Sequence, residues 1–154
     1  MNLLVTGAAG YIGASFSYEA LKKGFKVYGC DNFINSDEKN INTLENKFPN
    51  DFIFEKIDLS TELEKVKNFI SNKKIECVIH FAGLKSVEES EEIPNEYWRN
   101  NLDSTFNVLK AMEDEKIKAL VFSSSASVYG QSKIQPLTED TNLIPESTYG
   151  KTKL

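Results

Sequence analysis

The chain begins with an apolar run and a glycine-rich turn, Leu3-Leu4-Val5-Thr6-Gly7-Ala8-Ala9-Gly10-Tyr11-Ile12-Gly13. Residues 3–5 have the length of a short buried strand, and apolar residues recur at near-helical spacing over 11–23. Glycines between a strand and a helix permit a tight turn and let the backbone approach a phosphate, which the helix N-terminus attracts. The pattern Gly-x-x-Gly-x-x-Gly therefore predicts that Gly7, Gly10 and Gly13 bind the pyrophosphate of a dinucleotide. The alternative is a glycine-rich turn without a ligand.

The rest of the chain repeats this alternation of short apolar runs and helical patterns. Further strands are predicted at about 25–30, 51–55, 77–81 and 119–123. The predicted helices between them end near residues 23, 47 and 70, and a longer one covers about 94–113. Ser60 or Thr61 is the expected cap of the helix that ends near residue 70. Such βαβ units indicate one α/β domain over residues 1–154, a doubly wound parallel sheet of the Rossmann-like kind.

Composition and charge exclude several classes of protein. The 154 residues are 40% hydrophobic and 27% charged, which disfavours a disordered chain, a collagen and a coiled coil. No apolar run approaches the ~18 residues of a membrane helix, and the start lacks the basic segment of a signal peptide. The net charge is −5 with dispersed basic residues, so we expect no nucleic acid partner. Cys30 and Cys77 adjoin hydrophobic runs and are predicted to be buried free thiols rather than a disulfide, which favours a cytoplasmic location.

An acidic residue follows the second predicted strand. Asp31 stands 18 residues after Gly13, where a carboxylate can accept hydrogen bonds from the ribose hydroxyls of an adenosine. The same carboxylate would repel a 2′-phosphate, and the only arginine of the chain, Arg99, is far away in sequence. The pattern therefore predicts NAD rather than NADP, the alternative being a turn or capping aspartate in Asp31-Asn32.

Tyr149 and Lys153 are four residues apart, so a helix would place both on one face. A tyrosine hydroxyl has a pKa of about 10, and a nearby ammonium favours its phenolate form. Taken alone, this spacing is most often a surface pair. Here it follows five βα units and the strand-end serines Ser123-Ser124-Ser125, and ligands of such sheets bind at the carboxyl ends of the strands. We therefore expect Tyr149 and Lys153 to belong to an active site.

His80 is the only histidine, and it lies in the apolar run of the fourth predicted strand. A buried histidine that is hydrogen bonded is the favoured interpretation, with a catalytic role as the alternative. A metal site needs several converging ligands, and the sequence offers no such cluster, so we expect no bound metal.

These motifs resemble the extended short-chain dehydrogenase/reductase family, and most closely the N-terminal portion of its UDP-glucose 4-epimerases. The resemblance spans the whole chain, and its most specific part is His80-Phe81-Ala82-Gly83-Leu84-Lys85 with Glu89-Ser90. The other matching segments are residues 4–13, Asp31-Asn32, Asn100-Asn101, residues 123–130 and residues 149–153. Related 4,6-dehydratases carry Thr-Asp-Glu where this chain has Ser125-Ala126-Ser127, and without that acid/base pair the elimination of water is poorly supported.

The resemblance implies a mechanism with three catalytic residues. Tyr149 takes the proton of the 4-hydroxyl of a UDP-hexose, and hydride passes from C4 to tightly held NAD. The 4-keto sugar then turns over in the site, so that hydride returns to its other face. Ser125 bonds the 4-oxygen, and Lys153 lowers the pKa of Tyr149 and holds the cofactor. This is the interconversion of UDP-glucose and UDP-galactose in galactose metabolism.

The resemblance also assigns binding residues. Besides the three glycines, the implied NAD contacts are Tyr11, Ile12, Asp31, Asn32, Phe33, Ile34, Asn35, Ser36, Asp58, Leu59, Phe81, Ala82, Gly83, Leu84, Lys85, Asn100, Tyr149 and Lys153. The implied substrate contacts are Lys85, Ser125 and Tyr149. Residues 86–90 are expected near the diphosphate of the substrate.

Members of this family are roughly twice as long as this chain. The resemblance therefore implies an incomplete cofactor domain that stops after the fifth strand and the start of the catalytic helix, without the substrate domain. Such a chain is expected to be inactive alone, and its full-length parent to be a homodimer. Two alternatives remain open, namely an epimerase of the same family acting on another UDP-sugar and a non-catalytic NAD-binding module.

Overall fold

The computed structural model of the protein describes residues 1–71, 73–133 and 135–154. Five parallel strands form one sheet in the order β3-β2-β1-β4-β5. The strands are β1 (Asn2–Thr6), β2 (Lys26–Asp31), β3 (Phe52–Lys56), β4 (Cys77–His80) and β5 (Ala119–Phe122). The chain order reverses between β1 and β4, as it does in doubly wound folds, and the predicted Rossmann-like class is confirmed.

Helices connect the strands. They are α1 (Tyr11–Lys22), α2 (Lys39–Lys47), α3 (Leu63–Ile70), α4 (Val87–Glu92), α5 (Pro94–Trp98), α6 (Ser104–Asp114) and α7 (Thr148–Thr152). A π-helical turn, Arg99–Asp103, joins α5 to α6, and a short 3₁₀ helix, Ala126–Tyr129, follows β5. None of the helices within the described ranges has the length and apolar character required to cross a membrane.

Each face of the sheet carries its own hydrophobic core, because parallel strands are buried on both sides. Leu4 and Val78 belong to the cluster that includes Ile70 of α3 and Val108 of α6. Neighbouring strand residues such as Val5 point the other way, into a second cluster with α1 and α2. Both cysteines are free thiols as predicted, and Cys30 is buried as predicted, whereas Cys77 at the start of β4 is only half-buried.

The structure corrects three expectations about the helices. The N-cap of α3 is Glu62 instead of Ser60 or Thr61, because the Asp58 carboxylate accepts both the amide and the hydroxyl of Ser60. The helix predicted over 94–113 is divided by the π-helical turn. Helix α4, too short and too acidic to show an apolar period, was not predicted.

Candidate functional site

A cleft of about 220 Å³ opens at the carboxyl ends of the strands. Residues that follow β1, β2, β3, β4 and β5 all contribute to its walls, as expected for ligand sites of this sheet class. The lining residues are Gly7, Gly10, Tyr11, Ile12, Gly13, Asp31, Asn32, Ile34, Asn35, Ser36, Ile57, Asp58, Leu59, Ser60, Phe81, Ala82, Gly83, Lys85, Asn100, Ser104 and Ser123.

Two of the three turn glycines are required by close backbone contacts. Gly7 has a positive φ of 67°, and a Cβ on it would stand 2.8 Å from the amide nitrogen of Ala82. A Cβ on Gly13 would lie 2.1 Å from the carbonyl oxygen of Gly7. A Cβ on Gly10 would meet the same oxygen at 3.4 Å, which is tolerable. Gly7 is thus pressed against the loop after β4, whereas a methyl group at Gly10 would make only an ordinary van der Waals contact.

The N-terminus of α1 forms part of the cleft wall and has amide groups available for a ligand. Its N-cap is Gly10, which has no side chain to accept a hydrogen bond. Its first turn holds the uncharged residues Tyr11, Ile12 and Gly13, all of which line the cleft. Free N–H groups and the helix dipole together favour an anion at this position.

The carboxylate of Asp31 connects the glycine turn to the loop after β2. Its Oδ2 accepts from the amide of Ala9 at 3.0 Å. Its Oδ1 accepts from the amide of Phe33 at 2.9 Å and from the Ser36 hydroxyl at 3.0 Å. A carboxylate oxygen has about two acceptor sites, so Oδ2 of Asp31 retains one for a ligand donor.

Asp58 occupies the cleft wall after β3. Partial burial raises its pKa, but hydrogen bonds from the hydroxyl and amide of Ser60, from Asn32 and from the Thr61 amide outweigh this, and the pKa of Asp58 falls below its usual value. The Asn32 amide nitrogen lies 3.4 Å from Oδ2 of Asp58. Asp58 is therefore held as a charged acceptor at this end of the cleft.

Asn101 holds the loop after β4. Its side chain accepts from the Leu84 amide at 2.8 Å and donates to the Leu84 carbonyl at 3.0 Å. The same amide group donates to Oγ1 of Thr152 on α7 at 2.9 Å. Asn101 is 2% exposed, and it joins the cleft loop of residues 81–85 to the helix that begins at Thr148.

Lys153 lies against this loop. A Cβ on the cleft residue Gly83 would stand 3.3 Å from Nζ of Lys153, and that ammonium is 5.0 Å from the centre of the Phe122 ring. The Ser124 hydroxyl donates to the Lys153 carbonyl at 2.8 Å, which ties the end of β5 to α7. Desolvation by burial lowers the pKa of Lys153 to about 8. Among the described residues, no carboxylate oxygen lies within 4.0 Å of this ammonium.

Tyr149 and Ser125 stand at the ends of neighbouring short helices. Tyr149 is half-buried, and its ring packs edge-on against Tyr97 with the ring centres 6.5 Å apart. Ser125 caps the 3₁₀ helix, since its hydroxyl oxygen accepts from the Ser127 amide at 3.2 Å.

His80 is buried and hydrogen bonded, as predicted. Its Nδ1 lies 2.7 Å from Oγ1 of Thr6, and its Nε2 lies 3.2 Å from Oγ1 of Thr105. Burial, and then the charge of Lys153, lower the pKa of His80 to about 4. No cluster of three or more potential metal ligands occurs within residues 1–71, 73–133 and 135–154.

Comparison with known proteins places the chain in a family. The family model described as GDP-mannose 4,6 dehydratase matches residues 4–154. The chain belongs to the GDP-mannose 4,6-dehydratase family. Its similarity to UDP-glucose 4-epimerases, predicted from the sequence, is also confirmed. The UDP-glucose 4-epimerase of Bacillus subtilis is 44% identical over 154 residues, which are 100% of this chain and 45% of that protein.

Solved structures give the same result. UDP-glucose 4-epimerase from Bifidobacterium longum in complex with NAD+ and UDP superposes with a TM-score of 0.92 at 40% identity, covering 99% of this chain and 46% of that one. The enzyme from Stenotrophomonas maltophila, with bound NAD and formylated UDP-arabinopyranose, has a TM-score of 0.92 at 36% identity and coverages of 99% and 45%. The chain thus spans about half the length of the relatives it matches.

The cleft of this protein brings most of the expected cofactor-binding residues together. Its lining includes all of them except Phe33, Leu84, Tyr149 and Lys153. The Phe33 ring packs on Phe54 with ring centres 5.4 Å apart, and Leu84 is buried. Ser125 is likewise not among the lining residues.

Four lining residues were missed by the sequence reasoning, namely Ile57, Ser60, Ser104 and Ser123. Ile57 and Ser60 follow the end of β3, so the strand-end rule that drew attention to Asp31 could have found them. Ser123 was noted as a strand-end serine but was not assigned to the site. Ser104 comes directly after the π-helical turn, which no pattern in the sequence predicted.

Proposed function

We propose that this chain is the cofactor-binding part of an NAD-dependent UDP-glucose/UDP-galactose 4-epimerase, an isomerase of galactose metabolism. The observation that carries this proposal is one cleft that combines an anion-binding helix N-terminus, the acceptor Asp31 and a loop bordered by the ammonium of Lys153. The relatives are named for this activity, and two related structures hold NAD or NAD+.

The cleft offers a suitable partner for each part of NAD, from its adenine end to its nicotinamide end. The N-terminus of α1 suits the pyrophosphate, and the free acceptor site of Asp31 suits a ribose hydroxyl. The charged Asp58 can accept from an adenine amino group. Lys153 and the loop over residues 81–85 then hold the nicotinamide end. A 2′-phosphate would meet the Asp31 carboxylate, so we propose NAD in preference to NADP.

Bound NAD supplies the acceptor and donor of hydride at C4 of the sugar. The chain itself handles the proton: Tyr149 takes it from the 4-hydroxyl and returns it after the sugar has turned over. The Lys153 ammonium is buried without a carboxylate partner among the described residues and lies against the loop over residues 81–85, where it can hold the cofactor. Ser125 donates to the 4-oxygen, and Lys85 contacts the substrate from the loop after β4. Ser125, Ala126 and Ser127 provide no carboxyl group for elimination, so we propose epimerisation instead of dehydration.

The full-length protein is the proper test of this activity. We expect it to convert UDP-galactose to UDP-glucose, and Tyr149→Phe to lower that turnover by at least about a thousandfold, since the reaction loses its proton acceptor. Normal turnover by Tyr149→Phe would overturn the catalytic assignment. Parallel assays with N-acetylated and uronic acid UDP-sugars identify the preferred substrate.

The 154-residue chain alone is proposed to bind NAD without catalysing epimerisation. A calorimetric titration of this chain with NAD measures the binding directly. Lack of binding at millimolar NAD would contradict an independent cofactor module. NAD binding by a full-length protein that turns over no UDP-sugar would favour the non-catalytic alternative.

We further propose that the full-length protein is a cytoplasmic homodimer. The free thiols of Cys30 and Cys77 support the location. Exposed apolar side chains along α5 and α6, namely Trp98, Phe106 and Leu109, support a contact with a second copy.

A further inference from the structure

Helix α7 carries Tyr149 as its second residue. The first N–H groups of any helix lack partners within that helix. In α7 the Gly150 amide donates to the Ser147 hydroxyl at 3.0 Å, which is an ordinary N-cap. The two preceding amides, those of Thr148 and Tyr149, have acceptors that come from α4.

The two acceptors are consecutive residues of α4. Oε1 of Glu91 accepts from the Thr148 amide at 2.6 Å, and this hydrogen bond is the main cause of the lowered pKa of Glu91. Oγ of Ser90 accepts from the Tyr149 amide at 3.1 Å and donates to the Val87 carbonyl at 2.6 Å. Ser90 is fully buried, and both of these hydrogen bonds of its hydroxyl are made within the protein.

Helix α4 is also linked directly to the cofactor loop. It follows Lys85, and the Ser86 hydroxyl caps it by accepting from the Glu89 amide at 3.3 Å. The buried Tyr97 strengthens this link, since its hydroxyl donates to Glu89 at 2.7 Å and accepts from the Ser86 amide at 2.9 Å. The ring of Tyr97 then packs on the ring of Tyr149.

We infer that Ser90 and Glu91 are positioning residues for Tyr149, which fix the start of α7 relative to the loop over residues 81–85. This inference rests on the proposed function, because it assumes that Tyr149 transfers the proton. The distance between the tyrosine hydroxyl and the nicotinamide end of the cleft is then set by α4. Misplacement of a reacting group by about 1 Å can reduce a rate about a hundredfold.

Glu91 gives the sharper test because it is exposed and its replacement leaves the core intact. Glu91→Ala in the full-length protein removes the acceptor, whereas Glu91→Gln keeps an oxygen at Oε1. Glu92→Ala removes an exposed glutamate from the same helix and is the matched control. We expect Glu91→Ala to lower kcat for UDP-galactose about tenfold with KM within about twofold, and Glu91→Gln to restore kcat to within about twofold of wild type. Ser90→Ala serves as a second variant with the same expected kcat loss.

Amide hydrogen exchange measures the contact independently of turnover. We expect the Thr148 amide to lose about tenfold protection in Glu91→Ala and to keep it in Glu91→Gln and Glu92→Ala. Wild-type kcat in both Glu91→Ala and Ser90→Ala, or an equal loss in Glu92→Ala, would overturn the inference. A wild-type protein without epimerase turnover would instead refute the proposed function. In that case the exchange data still test the hydrogen bond between the Thr148 amide and Glu91. Unchanged protection of Thr148 in Glu91→Ala would show that this bond does not hold the start of α7.

Discussion

Nδ1 of His80 accepts a hydrogen bond from the Thr6 hydroxyl, with 2.7 Å between the two atoms. The direction of this hydrogen bond follows from the partner of Nε2, on the other side of the His80 ring. The Thr105 hydroxyl donates to the Asn101 carbonyl at 2.7 Å, so its oxygen is left to accept from Nε2–H of His80. His80 is therefore neutral with its proton on Nε2, and it connects β1 and β4 to the helix behind the cleft.

Stability should fall on mild acidification because of His80. Unfolded His80 takes up a proton near its ordinary value of 6.5, whereas burial lowers its pKa in the folded state to about 4. Between these values the unfolded state binds more protons, so lowering the pH favours unfolding. From pH 6.5 to pH 5 we expect a loss of about 2 kcal/mol, measured by urea denaturation. His80→Gln, which keeps a donor to Thr105, should flatten this slope; an unchanged slope would count against the assignment.

Two of the turn glycines, Gly13 and Gly10, should differ in how much stability the protein loses when each is replaced by alanine. Gly13→Ala places a Cβ 2.1 Å from a backbone oxygen and should destabilise the fold by about 3 kcal/mol. Gly10→Ala meets the same oxygen at 3.4 Å and should change the free energy of unfolding by less than about 1 kcal/mol. Thermal denaturation of the two variants gives the comparison, and equal effects would contradict the turn geometry.

Replacement of Asp31 should weaken the binding of NAD and reduce its preference over NADP. Asp31→Asn loses the charge and cannot accept all three hydrogen bonds that the carboxylate now receives. We expect NAD affinity to fall by about tenfold to a hundredfold, in line with about 1.5–3 kcal/mol per charged hydrogen bond. Calorimetric titration with both dinucleotides measures this, and the exposed Asp51→Asn is the control. Wild-type selectivity in Asp31→Asn would refute the role.

Lys153 should be necessary for turnover but unfavourable for stability. Lys153 is 6% exposed, and this burial desolvates its ammonium and lowers its pKa to about 8. Lys153→Met keeps the length of the side chain and removes the buried charge, so we expect about 1–3 kcal/mol of added stability at pH 7. The full-length variant should lose epimerase turnover by at least about a hundredfold. Lys151→Met, on the exposed side of α7, should change neither quantity.

A charge on the apolar face of α6 should prevent dimerisation. Phe106 is 59% exposed in the isolated chain, and Phe106→Glu would bury a carboxylate in the proposed contact. Sedimentation of the full-length protein should show a dimer for wild type and a monomer for the variant. Lys116→Glu, in the exposed turn that follows α6, is the control. If Phe106→Glu still forms a dimer, the interface does not include this face of α6.

The fold was predictable because each β-strand is a distinct apolar run and each is bounded by polar or glycine residues. Gly24 illustrates such a local signal, since a glycine directly after a helical pattern is a common helix stop. It adopts a φ of 83°, and the amides of Gly24 and Phe25 donate to Leu21 and Ala20, closing the predicted end of α1. The predicted N-cap of α3 was wrong because the hydroxyl of Ser60 donates to the Asp58 carboxylate. This contact depends on side-chain geometry, which the sequence does not show.

The site was predictable where function depends on strand ends and glycines, as at Gly7 and Asp31. Asn101 shows the limit. The resemblance selected its neighbour Asn100, which does line the cleft, but no sequence pattern indicated that Asn101 is buried and hydrogen bonded to Leu84. The support of Tyr149 by α4 likewise joins residues almost 60 positions apart in the chain, a relationship that only the folded structure contains.

The π-helical turn between α5 and α6 has a consequence for how this protein can vary. A π turn contains one residue more than an α-helical path, and the carbonyl of Asn101 also accepts hydrogen bonds from the hydroxyls of Ser104 and Thr105. Deleting one residue here would yield a more regular helix, but it would rotate Asn101 away from Leu84 by about 100°. This segment should therefore tolerate an exchange of its exposed side chains far better than a change of its length.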